Sequence, residues 1–296
     1  MSAFRTWAMA ARPRTLPAAI APVLVGTAAA IERVGELPRL GGLIAALVGS
    51  VFIQIGTNLA NDYSDARRGA DTADRLGPVR VTSTGLVTPR RVLTATWVAF
   101  AVAVACGIYL AVLAGPVILV VGALSIAAGV LYTGGPRPYG YAGLGELFVF
   151  LFFGLVAVNG SYYVQLEDLA VLPLGLSVSV GFLSTAILVV NNVRDLETDR
   201  RAGKNTLAVR LGRDRTRRLY LWLVGGAYAV LAVTLLAESG PWWAALGLLS
   251  APLAVRPARA VLHRTDGPAL NGALAGTGAL LGAFSLLVTA GLVIAA

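Results

Sequence analysis

Nine long apolar stretches recur along this chain, and they limit what it can become more than any other feature. They cover residues 16–31, 40–59, 92–114, 117–132, 144–163, 169–190, 219–237, 242–262 and 270–295. Each runs to roughly 16–26 residues, against about 20 for a helix that crosses a bilayer. Composition agrees, because 57% hydrophobic and 13% charged residues leave too little charge to cover a soluble surface. The expected fold is an all-α membrane protein of about nine transmembrane helices. Residues 1–296 read as a single domain, with no soluble domain and no low-complexity tail.

The net charge of +9 would suit a nucleic-acid partner if it were spread evenly. It is not. With nine spans, one side of the membrane takes residues 1–14, the loops 67–91 and 194–218, Arg137, and 256–264, which hold nearly all the basic residues. The other side has only Arg33 and Arg39, beside Glu32, Glu36, Glu167, Asp168 and Glu238. This asymmetry predicts a cytoplasmic amino terminus and an outer carboxyl terminus in the cell membrane, and it removes the need for nucleic acid. The start shows no small-residue cleavage site, so the first span reads as a retained helix. A lone cysteine, Cys106, excludes an internal disulfide and reads as a small apolar filler. His263, also alone, reads as interfacial.

Two long basic loops follow similar helix ends. The second span ends in Asn58, Asn61, Asp62 and Asp65, and the sixth in Asn191, Asn192, Asp195 and Asp199. Four spans separate them, so they share an orientation, as two similar halves facing each other across a central cavity would. Asn191, Asp195 and Asp199 recur every fourth residue and line one face of a continued helix. Stacked carboxylates repel, which calls for a cation: Arg194, Arg200, Arg201 or a divalent metal. In the first cluster Asn61 and Asp65 share a face, and Gly69 breaks the helix so that Asp71 can turn back.

Hard Mg²⁺ takes oxygen ligands, typically one or two carboxylates together with phosphate oxygens. Carboxylates alone would repel a diphosphate; with two Mg²⁺ ions they become a socket for it. Lys204, Arg68, Arg80 and Arg137 can meet its oxygens, lysine as a point charge and arginine through its planar fork. Arg12 and Arg14 precede the first span and can reach the same mouth. The loop 133–145, rich in glycine and proline, predicts a tight turn carrying Arg137 and Tyr139. The bland reading of each charge is a solvated loop, and of Tyr132, Tyr139, Tyr141, Trp222, Trp242 and Trp243 an interfacial belt. Paired clusters on equivalent helix ends favour a site.

At these residues the sequence resembles the UbiA superfamily of intramembrane prenyltransferases. The motifs are Asn61-Asp62-x-x-Asp65-x-x-x-Gly69-x-Asp71 and Asn191-Asn192-x-Arg194-Asp195-x-x-x-Asp199. Segments 11–17, 77–80, 132–141 and 203–212 are similar to the menaquinone branch, the 1,4-dihydroxy-2-naphthoate polyprenyltransferases. The likeness runs from about Ala11 to Gly212; the last three helices match only as hydrophobic segments. Many superfamily members carry the last acid of the first motif where this chain has Gly69, so Asp71 would take its place.

The resemblance implies a cavity open to the cytoplasmic side and transfer of a polyprenyl chain from polyprenyl diphosphate to 1,4-dihydroxy-2-naphthoate. It implies metal ligation by Asn61, Asp65, Asp71, Asp195 and Asp199, with Asp65, Asp195, Lys204 and Arg137 catalytic. Diphosphate contacts are expected from Asn58, Asn61, Arg68, Arg80, Arg137, Asn192, Lys204 and Arg14, and acceptor contacts from Tyr139 and Tyr141. Two alternatives stay open: another phenolic acceptor such as 4-hydroxybenzoate, and a transporter, since ionisable groups near membrane helices also mark ion pathways.

Overall fold

The computed structural model describes residues 2–69, 76–77 and 80–296. Within these the chain is all helix and connection. After a short amphipathic helix, α1 (Ala3–Ala11), come α2 (Pro17–Val34), α3 (Leu40–Arg67), α4 (Pro89–Ala114) and α5 (Val117–Leu131). Then follow α6 (Gly145–Leu166), α7 (Val171–Arg201), the short α8 (Leu207–Leu211), α9 (Arg213–Ala237), α10 (Trp242–His263) and α11 (Gly267–Ala295).

Eight of these helices are long and apolar enough to cross a membrane. The fourth expected span differs. α5 has 15 residues, about 22 Å at roughly 1.5 Å per residue, against a hydrocarbon core of about 30 Å. Pro116 and left-handed Gly115 delay its start, and the glycines after Thr133 end it. The outer surface carries large apolar side chains such as Val112, Trp97 and Trp222, at 85%, 60% and 77% exposure. Water would penalise such a surface, whereas lipid tails accept it.

α7 is the interior helix, with 72% of its apolar window buried, and α2 follows at 61%. The main core joins them to α6, α9 and α11 through residues such as Val25, Val158, Leu183, Ala227 and Leu281. α4 packs along α3, and α9 along α7. Where α6 meets α7, a Cβ on Gly154 would stand 2.6 Å from the Gly181 Cα. This close approach by small residues, common between membrane helices, coincides with a π turn over Phe150–Val156. Such turns insert a residue and re-aim the side chains around them, and here Phe152 and Phe153 face the cavity described next. α10 begins as a 3-10 coil over Trp242–Ala254, with Pro252 inside it, before becoming α-helical.

α3 and α7 both continue past their apolar stretches, to Arg67 and Arg201. The helical register therefore carries directly into the two Asn/Asp clusters.

Candidate active site

No helix breaker interrupts α3 before Gly69, whose φ of +65° suits glycine. The helix thus buries Gln54, Asn58, Asn61, Asp62 and Asp65 together. Gln54 and Asn58 donate to the Thr15 hydroxyl at 3.1 and 3.2 Å, and Asn58 also donates to the Ala11 carbonyl at 3.0 Å. These bonds fix the turn between α1 and α2. There Arg12 takes a left-handed φ of 54° ahead of Pro13 and lines the same cavity as Asn58. Backbone strain at a non-glycine residue is often found at binding sites.

Asp62 faces the next connection. Its carboxylate accepts the backbone N–H groups of Val81 and Thr82 at 3.0 and 3.2 Å, strapping that segment onto α3. The strap delivers Arg80, 6% exposed, whose guanidinium donates to Asp65 Oδ2 at 2.9 Å. Asp62→Ala leaves two buried donors unsatisfied. We expect about 1–3 kcal/mol of lost stability, read as a lower melting temperature and faster proteolysis between 80 and 88.

On α7 the expected face forms: Asn191, Asp195 and Asp199 line the cavity, and Asn192 lines it beside them. Repulsion within it is relieved by Arg194, 2% exposed, which pairs with both Asp195 oxygens at 2.7 and 2.6 Å. Arg194 also donates to Asn191 Oδ1 and to Asn271 Oδ1 of α11, and Asn271 in turn donates to the Leu76 carbonyl. Asn192 donates to buried Glu146 at 2.9 Å.

α7 ends in a Schellman turn: Lys204 N–H donates to the Asp199 carbonyl and Gly203 N–H to that of Arg200. Gly203 supplies the left-handed residue, at φ +73°. The reversal carries Lys204 back to the cavity, with Nζ 3.4 Å from Asp65 Oδ2 and 4.8 Å from the centre of the Tyr141 ring. Tyr141 donates its hydroxyl to Asp65 Oδ1 at 2.7 Å, and its carbonyl accepts Asn205 N–H at 3.0 Å. Asp65 from the first half thus meets a lysine from the second, a tyrosine from the 139–142 turn and an arginine from the strap.

The cavity has a volume of about 380 Å³. Asp65, Asp195, Asp199, Arg12, Arg80 and Lys204 line it, beside apolar groups such as Phe148, Phe152 and Val156. Among the described residues no three acidic, histidine or cysteine side chains converge on one point. The carboxylates reach one space separately, offering hard oxygens. That suits cations completing their coordination on phosphate oxygens rather than an all-protein cage.

The sequence profile of the UbiA prenyltransferase family matches residues 19–274. The chain belongs to that family. Its curated relatives include the 1,4-dihydroxy-2-naphthoate octaprenyltransferases of Mycobacterium tuberculosis, 46% identical over 99% of this chain and 98% of that protein, and of Escherichia coli, 40% identical over 95% and 93%. A solved UbiA homolog from Archaeoglobus fulgidus, bound to GPP and Mg²⁺, shares the fold at a TM-score of 0.64, with 17% identity over 96% of this chain and 99% of that one.

In this UbiA family member, Asn58, Asn61, Asp65, Arg80, Asn192, Asp195, Asp199, Lys204, Tyr139 and Tyr141 all line one cavity. Others stay outside. Arg14 is exposed and does not line it, because the 3-10 turn after Pro13 leaves Arg12 on the inner side. Arg137, between Pro136 and Pro138, is exposed and also absent from the lining. Arg68 is exposed, bonded to the Gly135 carbonyl and 5.8 Å over the Tyr141 ring. Asp71 lies outside the described residues. Tyr139 spends its hydroxyl on the Ala128 carbonyl at 2.8 Å and stacks on Phe148, and burial pushes its phenol well above the usual range. Three partners were missed from sequence: Thr133 (its hydroxyl donates to Asn61), Glu146 (it accepts from Asn192) and Asn271 (it accepts from Arg194). All three sit in apolar or loop segments where no spacing marks them.

Proposed function

We propose that the chain transfers a polyprenyl group from polyprenyl diphosphate to 1,4-dihydroxy-2-naphthoate, with loss of CO₂, as a step of menaquinone biosynthesis. The observation that carries this reading is the meeting of Lys204, Arg80 and Tyr141 on Asp65, in a cavity that Asp195 and Asp199 also line. The naphthoate acceptor and a polyprenyl donor are drawn from the names of the relatives, which match this chain over nearly its full length.

Asp65, Asp195, Asp199 and Asn61 are the residues that would hold Mg²⁺, as two ions if each helix end contributes one. Bound there, Mg²⁺ supplies charge neutralisation for the diphosphate, more strongly as negative charge builds on the leaving group. Arg80 and Lys204 rest on Asp65 in this structure, which keeps buried charges paired. When diphosphate enters, both cations are within reach of its oxygens. They favour the transition state because the allylic C–O bond hands its electron pair to the diphosphate there. Arg12 adds a third cation at the cavity wall, and Arg68 one at the rim.

The allylic carbon then bonds to the ring carbon bearing the carboxylate. Departure of CO₂ returns an electron pair to the ring and restores aromaticity. Tyr139 offers only its ring, stacked with Phe148, and this apolar wall keeps water from the cation. Nine crossings, with α5 as the short one, give a cytoplasmic amino terminus, an outer carboxyl terminus and a central cavity opening to the cytoplasm. The basic loops support that orientation.

The test is a product assay by mass, with purified protein, one prenyl diphosphate and a panel of aromatic acids. We expect decarboxylated prenyl-naphthoquinol from 1,4-dihydroxy-2-naphthoate, no product after chelation, and recovery on adding Mg²⁺. Preferential use of 4-hydroxybenzoate would overturn the acceptor, and turnover in chelator would overturn the metal.

A further inference from the structure

At the opposite end of the bundle a second cavity, of about 230 Å³, opens among the last turn of α2, the start of α7 and the connection from α9 to α10. Leu172, on its wall, lies 23 residues along α7 from Asp195, about 35 Å at roughly 1.5 Å per residue. That is close to a hydrocarbon thickness. Exposed Trp242 and Trp243 follow its wall residue Pro241, where aromatic side chains mark headgroup depth.

Its charged lining is Glu32, Arg33 and Glu238. None of the three side chains has a hydrogen bond or ion pair among the described residues. Tyr162 of α6 also lines it, 1% exposed, and its buried hydroxyl has no partner. Arg33, Asp168 and Glu32 are near enough to act on that hydroxyl electrostatically, and Arg33 and Glu238 on Glu32. A buried hydroxyl left unbonded is costly and calls for an acceptor or a donor.

We infer that this cavity binds a phosphoethanolamine group, its ammonium between Glu32 and Glu238 and its phosphate on Arg33 and the Tyr162 hydroxyl. The charge pattern selects that chemistry. A simple anion would meet two carboxylates, and a metal cation would meet the guanidinium. A ligand carrying both signs satisfies all four groups, and an ammonium donates the N–H bonds that carboxylates accept. The space holds several water-sized groups, enough for a headgroup whose acyl chains run along the apolar flank. Such a group can come from phosphatidylethanolamine of the membrane or from a soluble phosphodiester.

The experiment is native mass spectrometry of the full chain in detergent. It is titrated in parallel with phosphatidylethanolamine, phosphatidylglycerol and soluble glycerophosphoethanolamine. We expect phosphatidylethanolamine to be retained about tenfold better than phosphatidylglycerol, the worth of one charge-assisted contact. Glu238→Gln should erase most of that preference, and Tyr162→Phe, which removes a phosphate contact the two lipids share, should weaken retention of both, while prenyl transfer stays at the wild-type rate in each variant. Retention of phosphatidylethanolamine alone assigns the lipid as the source; equal retention of glycerophosphoethanolamine assigns the soluble group. Equal retention of the two lipids by the wild type, an unchanged preference in Glu238→Gln, or unchanged retention of both lipids in Tyr162→Phe overturns the inference. Glu238 is exposed and Tyr162→Phe nearly isosteric, so both variants should fold.

Discussion

Asp65→Asn is expected to lower prenyl transfer by about 10³-fold, the scale of losing a principal electrostatic group in a water-excluded site. The carboxylate is 1% exposed and has three partners: Arg80, Lys204 and Tyr141. Asparagine keeps the shape and can still accept from Tyr141, but it removes the negative charge beside buried Arg80 and Lys204. A second effect therefore accompanies the first, a stability loss of about 3–5 kcal/mol if neither cation relaxes toward water. The two separate experimentally. A melting curve in detergent reads the stability, and turnover measured well below the new melting temperature reads the chemistry. Adding diphosphate should restore part of the melting temperature, because an anion again meets Arg80 and Lys204, while turnover stays low. Near-normal turnover would remove Asp65 from the reaction.

Arg194→Met carries the second large effect. It strips Asp195 of its bidentate partner and unlatches Asn271 of α11. Breaking one side of a buried pair costs about 3–5 kcal/mol, and the variant should melt well below wild type. Adding Asp195→Leu removes the stranded charge, and replacing both ions by apolar groups is often close to neutral. The double variant should regain most of the melting temperature yet remain inactive. Recovery of both would make Asp195 a structural residue. Recovery of neither would mean that the bonds to Asn191 and Asn271, not the charge pair, hold the end of α7.

Much of this arrangement is legible in the sequence. Apolar length located the helices, and the fourfold spacing of Asn191, Asp195 and Asp199 aligned them on one face, because α7 carries its register through the cluster without a break. The need for a compensating cation was also legible, and Arg194 meets it. Spacing does not report backbone reversals. Arg12 and Arg14 look equivalent in sequence, but one left-handed residue decides which of them meets the cavity. Lys204 could be expected at the site from its Gly-Lys setting, but its contact with Asp65 could not, since the Schellman turn that returns it is a matter of φ at Gly203. Asp62 shares a motif with Asp65 and serves a different purpose, holding the strap; two aspartates three residues apart do not announce which one faces a backbone. Arg137, expected at the diphosphate, stays outside the cavity lining in this structure. Its Pro-Arg-Pro setting marks a turn, and the turn directs Tyr141 rather than the arginine to the cavity.

In the proposed mechanism, carboxylates from α3 and α7 act on the same divalent cations. Manganese, substituted for magnesium, reports its own coordination by electron paramagnetic resonance. The direct measurement is a Mn²⁺ titration of the purified protein with an unreactive prenyl thiolodiphosphate. We expect tight Mn²⁺ binding only when the diphosphate analogue is present, and its loss in both Asp65→Asn and Asp195→Asn. Wild-type Mn²⁺ binding in either variant would contradict shared ligation by the two helix ends.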